Sequence, residues 1–182
     1  DRLFGQGDYV GAFDTDYGFL GGTYGDVLNG GPGDDLLDPG IDPAQTTWSC
    51  VNLLQHYCRW PILDRFSFRG ASHGVTVDLS NGWASGQGDD RLVVTPGWDS
   101  LEGSTHDDVL RGTDADFAPT AWHLGGDEIY PLAGADVVRG RGGSDKIVAT
   151  SGDDTQHGGA GADRFTVAGG HVTIFGGPGD DW

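Results

Sequence analysis

Positive charge is scarce in this chain: Lys and Arg together number 10 against 28 acidic residues, and the formal net charge over 182 residues is -18. That balance argues against nucleic acid, whose phosphates it repels, and against anionic membrane surfaces; it favours small cations. Glutamate is nearly missing too, since only Glu102 and Glu128 are Glu and the rest of the acid is Asp. Glu is the better helix former and Asp the better turn residue, and 34 Gly make long helices improbable almost anywhere. No apolar run approaches the roughly 18 residues that span a bilayer, and no signal peptide opens the chain. HExxH, GxSxG, a P-loop and a Rossmann fingerprint in a strand-to-helix setting are all absent, so no catalytic machinery is expected. The chain starts at Asp1 without Met and stops in mid-motif at GGPGDDW, from which a processed, excised or partial piece of a larger protein is expected.

What is present is a period of nine. With GGPGDDLLD (Gly30 to Asp38) as template, frames start at 3, 12, 21 and 30, then at 85, 94, 103 and 112; after one extra residue, Ala121, they start at 122 and every ninth residue to 176. The sixth position is Asp in 12 of these 15 frames, Tyr17, Phe117 and Val172 being the exceptions, which composition alone does not produce. The fourth position is Gly in most frames, and the eighth is large and apolar: Leu28, Leu37, Leu92, Leu101, Leu110, Ile129, Val138, Ile147, Phe165 and Ile174, among others. Acidic, Gly-rich chains are often disordered, but disordered tracts carry no such apolar period. Nine residues fit a six-residue turn followed by a very short strand with one inward side chain.

GGAGADRFT and GGPGDDLLD resemble the RTX (repeats-in-toxin), or haemolysin-type, calcium-binding nonapeptide with consensus GGxGxDxUx. The resemblance implies an all-β, parallel β-roll (a right-handed β-solenoid), secreted or displayed at the cell surface. Calcium takes six to eight oxygens and tolerates carboxylates mixed with backbone carbonyls; Gly lets the turn aim carbonyls at the ion, and Asp supplies a carboxylate short enough for the loop. The candidate metal residues are therefore Asp8, Asp26, Gly33, Asp35, Gly88, Asp90, Gly97, Asp99 and Asp108, then Gly125, Asp127, Gly134, Asp136, Gly143, Asp145, Gly152, Asp154, Gly161, Asp163, Gly179 and Asp181.

In the family two nonapeptides make one 18-residue coil, so frames alternate between two edges. One edge is expected to carry Asp90, Asp108, Asp127, Asp145, Asp163 and Asp181, with Ala121 absorbed in a 19-residue step; the other carries Asp99, Asp136 and Asp154, interrupted by Phe117 and Val172. About five to eight calcium ions would then offset most of the excess charge. Without them the carboxylates repel one another, and a disordered apo chain is expected.

The organisation expected is a single domain over 1–182: N-terminal repeats at 1–38, an irregular insertion at 39–84, and the main roll at 85–182. The insertion holds the only cysteines. In an extracellular setting a Cys50–Cys58 disulfide is expected, while Cys-x7-Cys with His56 is poor spacing for zinc. Six Trp are read as packing or capping residues in preference to platforms for sugar rings. Paired carboxylates such as Asp89/Asp90 and Asp153/Asp154 fall at repeat positions five and six, which makes them turn residues rather than a glycosidase acid and base. The function expected is a non-enzymatic calcium-binding structural module; the alternatives are an accessory domain of a secreted protease, lipase or polysaccharide-modifying enzyme, or a filament subunit. Joining Trp182 to Asp1 of a second copy keeps the nine-residue frame, which fits head-to-tail stacking through open strand edges.

Overall fold

The computed structural model of the protein describes residues 2–4, 27–38, 64–94, 99–114 and 125–182. Asp8, Asp26, Gly97, Phe117 and the Cys50–Cys58 pair lie outside these residues, and Asp99 is described as backbone only. Among the described residues all regular structure is strand: β1 (Arg2–Phe4), β2 (Val27–Leu28), β3 (Leu36–Asp38), β4 (Asp64–Ser67), β5 (Thr76–Asp78), β6 (Trp83–Ser85), β7 (Asp89–Leu92), β8 (Asp99–Glu102), β9 (Val109–Arg111), β10 (Glu128–Leu132), β11 (Val137–Gly142), β12 (Lys146–Ala149), β13 (Asp153–Ala160), β14 (Arg164–Val167) and β15 (His171–Phe175). The described residues are all-β, as the Gly and Asp content leads one to expect.

The strands form two sheets. One has nine strands in the order β1-β3-β7-β6-β5-β9-β11-β13-β15, the other six in the order β14-β12-β10-β8-β4-β2. From β10 onward the chain alternates between them, and strands a coil apart pair in parallel: Glu128 with Lys146, Val137 with Thr155, Lys146 with Arg164, Asp153 with His171, each pair 18 residues apart, with one register shift at Leu132, which pairs with Ala149. The inward column is the eighth position. Leu101, Leu110, Ile129, Val138 and Ile147 are fully buried, with Leu28 and Leu37 nearly so. Each contributes roughly 1.5–3 kcal/mol by leaving water. One such side chain per nine residues is a thin core, and Gln156 spends one of these places on an amide with neither polar atom paired.

Three expectations are corrected here. First, the stretch 39–84 is not wholly irregular: β4, β5 and β6 are built from it, and Phe66 and Val77 sit fully buried in the core. Alternation of apolar and polar residues suffices to put a strand in a sheet; the Asp/Gly turn is dispensable at that place. Second, pairing is not purely parallel. β5, β6 and β7 form an antiparallel meander, and β1 runs antiparallel to β3. The cause at β5/β6 is a tight connection through Asn81-Gly82, with Gly82 at φ 63, which only an antiparallel neighbour can use.

Third, the step at residue 121 is larger than one residue. β8 pairs with β10 through Ser100 and Glu128, and β9 with β11 through Val109 and Val137, each 28 residues apart rather than 18. Ten residues are therefore extra. A ten-residue excess is one nonapeptide plus one, so it exchanges the two edges below that point.

Candidate metal centre

Aspartate precedes each repeat strand because its short carboxylate can reach a backbone N–H of a neighbouring coil. The structure turns this into ladders. In the first, the backbone N–H of Asp127 donates to Asp145 Oδ1 (2.8 Å), that of Asp145 to Asp163 Oδ1 (2.9 Å) and that of Asp163 to Asp181 Oδ1 (3.0 Å). In the second, the N–H of Asp108 donates to Asp136 Oδ1 (2.8 Å) and that of Asp136 to Asp154 Oδ1 (3.1 Å). A separate pair joins the N-terminal coil to β7, where the Asp35 N–H donates to Asp90 Oδ1 at 3.1 Å.

These edges differ from the expected ones. Asp108 stands below Asp136, not Asp127, and β8, which begins at Asp99, lies in the sheet of β10, on the Asp127 side. Asp99 and Asp108 have changed places, as the ten-residue excess requires. Asp90 is not on a ladder with Asp108 either, because β6 and β5 lie between β7 and β9. The excess sits inside a turn: Thr113 N–H donates to Asp127 Oδ2 at 2.6 Å, so positions one and two of that turn are Gly112 and Thr113, and positions four to six are Gly125, Gly126 and Asp127.

Glycine at position four is required by crowding. Gly143, Gly161 and Gly179 stack one above another at φ 95, 139 and 152; a β-carbon on Gly161 would overlap the Gly143 carbonyl oxygen, and one on Gly179 that of Gly161. Such φ values are strained for any other residue. Gly134 and Gly152 repeat the stack on the second edge, and Gly33 with Gly88 on the isolated pair.

Burial makes these carboxylates unusual. Asp35, Asp90, Asp108, Asp127, Asp136, Asp154 and Asp163 are almost wholly shielded from solvent. Desolvation pushes Asp90 and Asp127 up to about 6 and Asp136 to about 7, the last helped by its neighbours Asp108, Asp154 and Asp107; Asp35, Asp108, Asp154 and Asp163 are raised for the same leading reason. The second oxygen, Oδ2, of Asp35, Asp90, Asp136, Asp154 and Asp163 is buried and has no hydrogen-bond donor. Five orphaned carboxylate oxygens in a chain of this size call for a positive partner.

Asp108 and Asp127 are the exceptions, and sequence reasoning missed why. Ser104 donates to Asp108 from its backbone N–H (2.6 Å) and its hydroxyl (2.8 Å), and Thr113 does the same for Asp127. A hydroxyl residue at position two, where the repeat prefers Gly, was the available signal. Among the described residues no three acidic, His or Cys side chains converge on one point. An ion here would draw most of its oxygens from turn carbonyls.

A family model of the RTX calcium-binding nonapeptide repeat matches the chain in four copies, over residues 19–42, 85–116, 124–156 and 157–182, more than half of its length. The chain belongs to the RTX calcium-binding repeat family. No match was found among curated proteins. The third RTX copy begins at 124 and the second ends at 116, so the unmatched residues between them fall within the ten-residue excess. Deleting residues 115–124 joins Gly112-Thr113-Asp114 to Gly125-Gly126-Asp127 and restores a regular RTX nonapeptide, GTDGGDEIY. The shortened chain is expected to need calcium for its strand signal at concentrations within about threefold of the parent, a difference of under 1 kcal/mol; loss of the calcium response would contradict the placement of the excess.

The sign of the pH dependence follows from the raised values. A carboxyl with a higher pKa in the metal-free fold than in the unfolded chain binds its proton more tightly when folded, so its contribution is favourable below about 3.8 and is lost as pH rises through 6 to 7. Ionising Asp90 or Asp127 in the metal-free fold costs on the order of 3 kcal/mol each. Calcium bound at these carboxylates would have to displace those protons. Its half-saturating concentration is expected to fall at least tenfold between pH 5.5 and 7.5 and then level off, as read by a titration followed by circular dichroism; a flat profile would count against these carboxylates.

Proposed function

We propose that the chain is a non-enzymatic calcium-binding structural module of a secreted or cell-surface protein, whose two sheets wrap as a parallel β-roll that folds when calcium binds. The domain read is 1–182. On the first edge Asp145, Asp163 and Asp181 would hold the ions, together with the turns of Gly143, Gly161 and Gly179; on the second, Asp136 and Asp154 with Gly134 and Gly152; and Asp35 with Asp90 at the N-terminal pair. The observation that carries this reading is the set of buried carboxylate oxygens without donors, at Asp35, Asp90, Asp136, Asp154 and Asp163. The donor set is oxygen only, which suits a hard cation of flexible coordination. Bound calcium supplies the positive charge that lets adjacent carboxylates ionise together.

Calcium and magnesium separate this reading from simple charge screening. Calcium added to the metal-free chain should restore the strand signal, whereas magnesium at equal concentration should not, because it dehydrates reluctantly and demands octahedral geometry. Equal recovery in both would contradict a built calcium site.

A further inference from the structure

The cross-strand registers of the nine-stranded sheet align its outward side chains into one row. Arg91 of β7 pairs with Trp83 of β6, Trp83 with Asp78 of β5, Asp78 with Arg111 of β9, and Arg111 with Arg139 of β11. The row continues through His157 of β13 to Phe175 of β15, whose rings stack in parallel with centroids 4.7 Å apart. Each of these positions except Phe175 neighbours a buried residue of its strand, so alternation points them outward, and Phe175 follows its register partner His157. Seven strands at about 4.8 Å make a row of about 29 Å.

Its charge is opposite to that of the protein. Lys and Arg number 10 in the whole chain, and three of them, Arg91, Arg111 and Arg139, fall in this row; among the described residues none of the three is in an ion pair. The one acid in the row, Asp78, is already neutralised by Arg141 at 2.7 Å and is buried. Arg141 holds that contact from φ 81, at repeat position two, where Gly159 and Gly177 occupy the matching places of later turns. A non-glycine in that conformation costs of order 1 kcal/mol or more, and Leu132 takes it too, at the same repeat position, with φ 76. The row thus runs from Arg91 and Trp83, through Arg111 and Arg139, to the aromatic pair His157 and Phe175.

We infer that this face binds an extended acidic polysaccharide, with the guanidinium groups of Arg111 and Arg139 on its carboxylates or sulfates and the Trp83 and Phe175 rings against its sugar faces. Guanidinium groups suit planar oxyanions, and ring faces suit the C–H surface of a pyranose. A run of Asp or Glu has no ring to place on Trp83. A nucleic acid brings a denser negative charge to a chain already at -18. The face exists only in the folded chain, so the inference rests on the calcium reading above.

The test uses the full chain in saturating calcium, with dextran sulfate as the probe, neutral dextran as its uncharged match and poly-L-glutamate as the peptide alternative. Dextran sulfate is expected to bind at least tenfold more tightly than either. Arg111→Gln with Arg139→Gln is expected to weaken binding at least tenfold, and Trp83→Ala to weaken it severalfold. Arg164→Gln, on the six-stranded sheet, should leave it unchanged, and all variants should keep the parent's calcium titration by circular dichroism. A folded chain that ignores dextran sulfate, binds poly-L-glutamate as well, or loses as much with Arg164→Gln as with the arginine pair overturns this inference alone. A chain that gains no strand in calcium overturns the calcium reading beneath it.

Discussion

In excess chelator at pH 7.5 the chain is expected to lose its strand signal and its dispersed amide spectrum, and to regain both when calcium is restored. The reason is quantitative. The metal-free fold would have to ionise a set of carboxylates whose desolvation pushes three of them to about 6 or 7. Each unit of such a shift costs about 1.4 kcal/mol, and whole domains are stable by only about 5–15 kcal/mol. Three carboxylates alone therefore approach the entire margin, and from β10 onward the core has about one large side chain per nine residues with which to oppose it. Protonation offers the other escape, so the strand signal in chelator should be larger at pH 5 than at pH 7.5. A chain fully folded in chelator at neutral pH would mean that the buried oxygens are satisfied in some other way.

The second large effect is expected from Gly161→Val. Gly161 lies at φ 139 in the middle of the first glycine stack, and its missing β-carbon is the space that the Gly143 carbonyl fills. Valine adds a branched side chain where even alanine overlaps backbone, and neither neighbour can yield without moving the Asp145–Asp163 rung, joined by a 2.9 Å hydrogen bond. The penalty belongs with the largest single substitutions, about 4 kcal/mol or more. We expect calcium-loaded Gly161→Val to lose the order of β12 through β15 and to need at least tenfold more calcium. Gly142→Ala is the matched control: a β-carbon there meets only Asp114, at 3.4 Å, and should be close to neutral. Equal behaviour of the two would show that the stack is not what closes the turn.

The part of the structure legible in the sequence was the part where chemistry repeats. From Asp127 to Asp181 one residue type at one spacing fixes the turn, the inward side chain and the rung, and the 18-residue registers follow. Legibility failed where a different kind of information took over. A ten-residue excess inside the turn of Asp127 looks, in a nine-residue frame, like a single stray residue; only the pairing of Ser100 with Glu128 reveals the full excess and the exchange of Asp99 with Asp108. The strands of 64–85 were missed because they lack the Asp/Gly turn, although TVD and WAS flanking Asn81-Gly82 carry the signal of a hairpin. The distinction between satisfied and orphaned carboxylates depended on Ser104 and Thr113, whose hydroxyls act across a turn and have no periodicity to betray them.

Calcium bound between stacked Asp/Gly turns is proposed as the event that folds this chain. Equilibrium dialysis with metal analysis, carried out on the same samples as a circular dichroism titration, tests this. Bound calcium and strand signal are expected to rise together and cooperatively, saturating at about five ions per chain. Saturation at one ion or none, or a strand signal complete before calcium binds, would contradict it.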